Sequence, residues 1–148
     1  IGRGIAGLYA TPPVGADERA LVERVLAPTG QTLWVEREAD LDAVTALSGS
    51  GPAYVFYFVE AMMAAAAQMG LSPEQGKRLA LATFDGATAL AAQSDEPPEV
   101  LRERVTSKGG TTYAALQSMR ADAVGEAISK AVQAAQQRAR ELGDEFGG

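Results

Sequence analysis

The sequence predicts a mainly α fold: a helical domain over residues 38–148, preceded by a strand-helix-strand piece over residues 1–37. Three observations carry this. No strand pattern occurs after Glu38. Residues Ala53 to Met69 are apolar except Glu60 and Gln68, which suits a helix covered on nearly all sides. "LSPEQ", at residues 71–75, has the chemistry of a helix start.

In order, "GIAGLYA" reads as a first strand and "QTLWVE", with Trp34, as a second. Between them "GADERALVERVLAPTG" reads as an amphipathic helix with Leu21, Val25 and Leu26 on its apolar face, ended by Pro28 and Gly30. Such a piece cannot close a sheet by itself, so it reads as the tail of an α/β domain. "DLDAVTAL" is helical and leads into "SGSGPAY", where Pro52 suits the first turn of the Ala53–Met69 helix. That helix is slightly short for a membrane span and carries Glu60. A small monomer has too few helices to cover it, which predicts an oligomer. Ser72 as N-cap, Pro73 at the first position and Gln75 at the third predict a capping box, with a helix running to about Gln93. Asp95 to Pro98 form a turn, "EVLRERVT" a short helix, and "SKGG" a break. "TTYAALQSM" is helical, and residues 122–142 read as a long amphipathic helix ended by Gly143.

Composition narrows the chemistry. A length of 148 residues fits one domain, or a domain plus part of another. Thirteen basic against nineteen acidic residues give a net charge of −6, unsuited to nucleic acid or anionic lipid. The absence of Cys and His removes thiol chemistry, imidazole bases and the usual zinc sites, so no metal is expected. It also fits a reducing compartment, hence a cytoplasmic location. There is no signal-peptide pattern. The chain starts at Ile1 rather than Met, so it is expected to be a fragment or a renumbered chain.

"GRGIAG", residues 2–7, has the G-x-G-x-x-G spacing of a dinucleotide loop. Such a loop follows a strand and opens a helix. Here Pro12 and Pro13 follow, and the motif itself reads as strand, so no dinucleotide site is expected there.

Two other stretches can carry chemistry. In "VTSKGGTTYAAL", Gly109 and Gly110 stand directly before a helix, between Ser107 and the pair Thr111 and Thr112. Backbone amides converging at the positive end of that helix make a site for a carboxylate or phosphate. A plain N-cap with a glycine turn explains the same residues. In "TALSGSGPAY" small residues interrupt a helical run, either as a kink or to let a flat ligand approach the backbone. Glu38, Asp40 and Asp42 precede it; acids in a first turn offset the helix dipole, and one of them can instead face a ligand amine.

"DAVTALSGSGPAY", followed some fifty residues later by "VTSKGGTT", resembles pyrroline-5-carboxylate reductase over essentially the whole chain. "GIAGLYA" and "QTLWVE" are similar to the end of that family's nucleotide-binding domain, whose front half and true glycine fingerprint are missing here. The resemblance implies an all-helical dimerisation domain of the 6-phosphogluconate dehydrogenase C-terminal type. It implies reduction of Δ1-pyrroline-5-carboxylate to L-proline with NADPH or NADH, in a homodimer that can assemble into rings, with no nucleic acid or membrane as partner. By the same match Ser107 and the amides of Gly109, Gly110, Thr111 and Thr112 take the substrate carboxylate, and Thr112 bonds the ring nitrogen. Thr45, with Thr112, stands nearest the chemistry. Gly49, Ser50, Gly51 and Pro52 lie near the nicotinamide, and Glu38 is a weaker partner for the ring nitrogen. Arg104, where the family often has Asn or Gln, is placed with the cofactor contacts; Lys108, often Pro in the family, either tightens carboxylate binding or stays solvated. Two alternatives remain: a dimerisation module without activity of its own, and the C-terminal domain of another β-hydroxyacid-type dehydrogenase.

Overall fold

The computed structural model describes residues 1–146. It is mainly helical, with one small parallel sheet near the N-terminus. The chain divides into two compact units, Ile1–Pro52 with Ser129–Gly148, and Ala53–Ile128.

In the first unit, strand β1 (Gly4–Leu8) pairs in parallel with β2 (Gly30–Trp34), from Gly4 opposite Gly30 to Leu8 opposite Trp34. Helix α1 (Ala16–Leu26) makes the crossover, and a short 3-10 turn, Ala27–Thr29, leads into β2. Trp34 fixes α1 to the sheet: its Nε1 donates to Glu23 Oε1 at 2.6 Å, and the Arg19 guanidinium lies 4.8 Å from the ring centroid. The expected apolar face of α1 is corrected in part. Leu21 and Val25 are exposed, and only Leu26 is partly covered, because α1 meets the sheet through Arg19, Glu23 and the Trp34 ring.

The glycines of "GRGIAG" serve packing. Gly30 takes φ +138°, and a Cβ there would stand 2.0 Å from the Gly4 carbonyl oxygen. A Cβ on Gly7 would stand 2.7 Å from Val44 Cγ1. The motif lies in and beside β1, and the next helix opens only at Ala16. After β2 come a 3-10 turn (Glu38–Asp40), helix α2 (Leu41–Val44) and a π-helical segment, Thr45–Gly49, which buries Ala46.

In the second unit, helices α3 (Gly51–Gln68) and α4 (Pro73–Gln93) form an antiparallel hairpin. Phe58 meets Phe84 with centroids 6.4 Å apart, while a Cβ on Gly76 would lie 3.0 Å from Ala66 Cβ. The close approach at Gly76 lets Val59, Ala66 and Ala80 be buried. The predicted capping box forms: Ser72 Oγ accepts from the Gln75 amide, and Gln75 Oε1 accepts from the Ser72 amide at 2.8 Å. The α3 helix is far from covered within the chain, since Val55, Phe56, Tyr57 and Met62 are exposed. Helices α5 (Pro98–Arg104) and α6 (Thr111–Ala121) follow.

The last helix, α7 (Val124–Phe146), departs from expectation at both ends. It begins after Asp122, which caps α6, and Ala123, which takes a left-handed φ of +51°. It also runs through Gly143. A helical glycine costs only about 1 kcal/mol, and Arg138 bridges to Glu145 across that point.

Candidate functional site

The glycine turn of the second unit is built from the end of α5. Thr106 Oγ1 donates to the Arg102 carbonyl at 2.6 Å and closes the last helical turn. The Gly110 amide then donates back to the Ser107 carbonyl at 3.0 Å. Only Gly109 takes the left-handed conformation, at φ +75°; Gly110 is extended, at φ −80° and ψ 177°. Gly110 is small for a different reason: a Cβ there would stand 2.6 Å from Ser107 Oγ.

Gly110 is also the N-cap of α6, and it supplies no side-chain acceptor. The first amides of a helix have no partner inside it. Here Thr111 and Thr112 hold the first two helical positions, and their N–H groups add to the positive end of an eleven-residue helix. The hydroxyls of Ser107, Thr111 and Thr112 have no hydrogen-bond partner among the described residues, so they remain available to a ligand. Thr112 lies inside the helix, since the N-cap place belongs to Gly110. Lys108 is exposed on the outside of the turn. Arg104, expected near the cofactor, gives its guanidinium Nη2 to Glu96 Oε1. Glu96 was not among the sequence candidates. Its signal, an acid eight residues before a base around a proline-started helix, is too common to single it out.

The second group of expected residues belongs to the first unit. Glu38 sits exposed in the turn before α2. Beside it Arg37 donates to both Asp40 oxygens, and that hydrogen bonding holds the Asp40 carboxyl below its ordinary value while raising Arg37. Thr45 opens the π-helical segment, and the Ser50 amide reaches back to its carbonyl at 2.8 Å. A single π turn widens a helix and recurs at functional sites. Thr45 and Gly49 line a cleft of about 300 Å³ together with Ile5, Gly7, Leu41 and Val44. Ser50 and Gly51 are half-buried, and Pro52 is exposed in the first turn of α3. Ile5 and Gly7 were missed as cleft residues because they come from a strand about forty positions away. Each unit thus holds one group: Glu38, Thr45 and Gly49–Pro52 in the first, Arg104, Ser107 and Gly109–Thr112 in the second. Among the described residues no cluster of acidic side chains could hold a metal ion, and no helix is long and apolar enough to cross a membrane.

Comparison with known proteins adds a family. Residues 38–142 match the family described as pyrroline-5-carboxylate reductase dimerisation. The chain is 43% identical over 145 residues to a pyrroline-5-carboxylate reductase of Pseudomonas aeruginosa, covering 98% of this chain and 53% of that protein. It is 38% identical over 148 residues to pyrroline-5-carboxylate reductase 2 of Bacillus subtilis, again covering 53% of it. Among solved structures, a pyrroline-5-carboxylate reductase from Coxiella burnetii superposes with a TM-score of 0.91 at 38% identity, covering 95% of this chain and 52% of that one. The pyrroline carboxylate reductase of Plasmodium falciparum, solved with NADP bound, gives a TM-score of 0.88 at 31% identity, covering 96% and 54%. The chain therefore spans about half the length of the curated relatives it matches.

Proposed function

The chain belongs to the pyrroline-5-carboxylate reductase dimerisation family, and from that premise we propose that it serves the reduction of Δ1-pyrroline-5-carboxylate to L-proline, the closing step of proline biosynthesis. The observation that carries this is the family match over residues 38–142, which spans both candidate stretches. In this reading residues 1–37 are the end of a dinucleotide-binding domain and residues 38–148 the dimerising and substrate-binding domain. NADPH or NADH supplies the hydride, held mainly by a domain of the kind that the other half of the relatives provides. The chain alone is then inactive, and the full-length enzyme works in the cytoplasm.

The residues present suit this chemistry. The unpartnered amides at the start of α6 take the substrate carboxylate, and Ser107 and Thr111 add hydroxyl donors. The Thr112 hydroxyl oxygen accepts from the N–H of the protonated imine, with Glu38 a weaker partner for that charge. A protonated imine is already electrophilic, so no His or Cys is required; positioning and electrostatics suffice. The cleft beside Thr45, about 300 Å³ and lined in part by Gly7 and Gly49, takes the flat nicotinamide ring, with Ser50, Gly51 and Pro52 following Gly49 in the chain. The exposed apolar residues of α3 support a homodimer, and rings of dimers are a further level of the same assembly.

The test is an assay of the full-length enzyme with pyrroline-5-carboxylate and NADPH or NADH, with Gly110→Val as variant. Turnover is expected in the wild type and none in residues 1–148 alone. Gly110→Val should abolish competition by proline and leave NADPH affinity nearly unchanged, because the new side chain collides with Ser107 where the carboxylate approaches. Normal proline inhibition in that variant would place the carboxylate elsewhere.

A further inference from the structure

We propose that Glu96 and Arg104 are a positioning pair that sets the glycine turn for the substrate carboxylate. The inference rests on the function proposed above and adds two residues to it. Helix α5 has seven residues, and a helix so short is marginal by itself. Its entry is tied down locally. The Glu96 amide donates to Ser94 Oγ at 3.1 Å in a half-buried turn, and Pro97 and Pro98 fix the next two φ angles. Its exit is closed by the Thr106 hydroxyl on the Arg102 carbonyl, and Ser107 follows at once. The Glu96–Arg104 ion pair joins entry to exit across the helix. Whatever orients α5 therefore orients the residues that leave it, Ser107 to Gly110.

The pair also settles what Arg104 does. Three residues from Ser107, a free guanidinium would compete with the backbone amides for the same carboxylate. Glu96 takes it instead, and the anion is left to the amides of α6. Both groups are partly exposed, with side-chain accessibilities of 66% and 33%, so the effect is modest. Exposed pairs of this kind correspond to about two- to fivefold in an equilibrium constant.

The test is a double-mutant cycle in the full-length enzyme with Glu96→Gln, Arg104→Gln and both together. Each single change should raise KM for pyrroline-5-carboxylate and Ki for proline about two- to fivefold. Turnover number and KM for NADPH should hold, and the double variant should be no worse than the singles. Exchanging the charges, Glu96→Arg with Arg104→Glu, should restore most of the loss. Amide hydrogen exchange at Thr106 and Gly110, the hydrogen-bonded amides of the turn, should quicken in both singles and recover in the exchange variant. That readout needs no turnover, so it tests the pair even if the wild type reduces no pyrroline-5-carboxylate, a result that would sink the proposed function instead. The inference is overturned if the single effects simply add, or if the Thr106 and Gly110 amides exchange normally. It is also overturned if Glu96→Gln lowers KM for the substrate, since the freed Arg104 would then be a direct ligand, or if Arg104→Gln raises KM for NADPH.

Discussion

Thr112 and Gly110 differ by two positions and do different work. Gly110 caps α6 with its backbone alone, and its missing side chain leaves room beside Ser107 Oγ. Thr112 is already inside the helix, and its hydroxyl has no partner among the described residues. Thr112→Ala should therefore lower kcat/KM of the full-length enzyme about two- to tenfold, the worth of one neutral hydrogen bond, with little change in Tm. A lower Tm with unchanged kcat/KM would make Thr112 structural. Asp40 gives a pH dependence. Its carboxyl is lowered by hydrogen bonds from Arg37, below an ordinary value of 3.8. A lowered folded-state pKa means stability that is present above the ordinary range and lost as pH falls through the folded value. The Tm gap between wild type and Arg37→Gln should be flat from about pH 5 to 8 and close in acid below the ordinary Asp range. A gap that widens in acid would contradict the Arg37–Asp40 assignment.

Helix ends show how local signals and tertiary context divide the work. Ser72, Pro73 and Gln75 start α4 where they stand, because a capping box uses only neighbours along the chain. The α6–α7 joint is less well served. Ala123 sits at φ +51°, where an L side chain crowds its own backbone at a cost of about 1–2 kcal/mol. Glycine removes that cost but loses more entropy on folding. Ala123→Gly should therefore stabilise the protein by about 0.5–1 kcal/mol, seen as a Tm rise of about 1–4 °C. A fall in Tm would show that the joint relaxes in solution.

Partnership belongs to the whole molecule. Val55 and Met62, seven residues apart on α3, are exposed together with Phe56 and Tyr57, Tyr57 by as much as 73%. Apolar side chains exposed along one helix mark an interaction surface. On the proposed homodimer, Phe56→Asp removes an aromatic anchor worth about 2 kcal/mol or more and should weaken association about 30-fold. Sedimentation equilibrium on the full-length enzyme measures this directly. An unchanged dimer would move the interface off this face, and a stable wild-type monomer with cooperative unfolding would end the dimer reading. Because a partner stabilises only the folded state, Tm should also rise with protein concentration in the wild type.

Local chemistry was legible in the sequence by itself. The mainly helical class, the order of the elements, the start of α4, the length of α3 and the glycine turn all rest on neighbours along the chain or on helical period. So does the reading of "GRGIAG" as strand rather than the opening of a helix, since two prolines beyond it bar a helix. Tertiary structure alone decided what depends on distant atoms. Gly4, Gly7 and Gly30 are glycines because carbonyls and side chains from other elements occupy the Cβ space. Gly143 stays helical with Arg138 holding Glu145 across it. Gly109, not Gly110, turns left-handed because the Gly110 amide must reach back to Ser107. Arg104 met Glu96 only when α5 folded between them, and no pattern of residue types records which of many nearby acids a flexible cation will find.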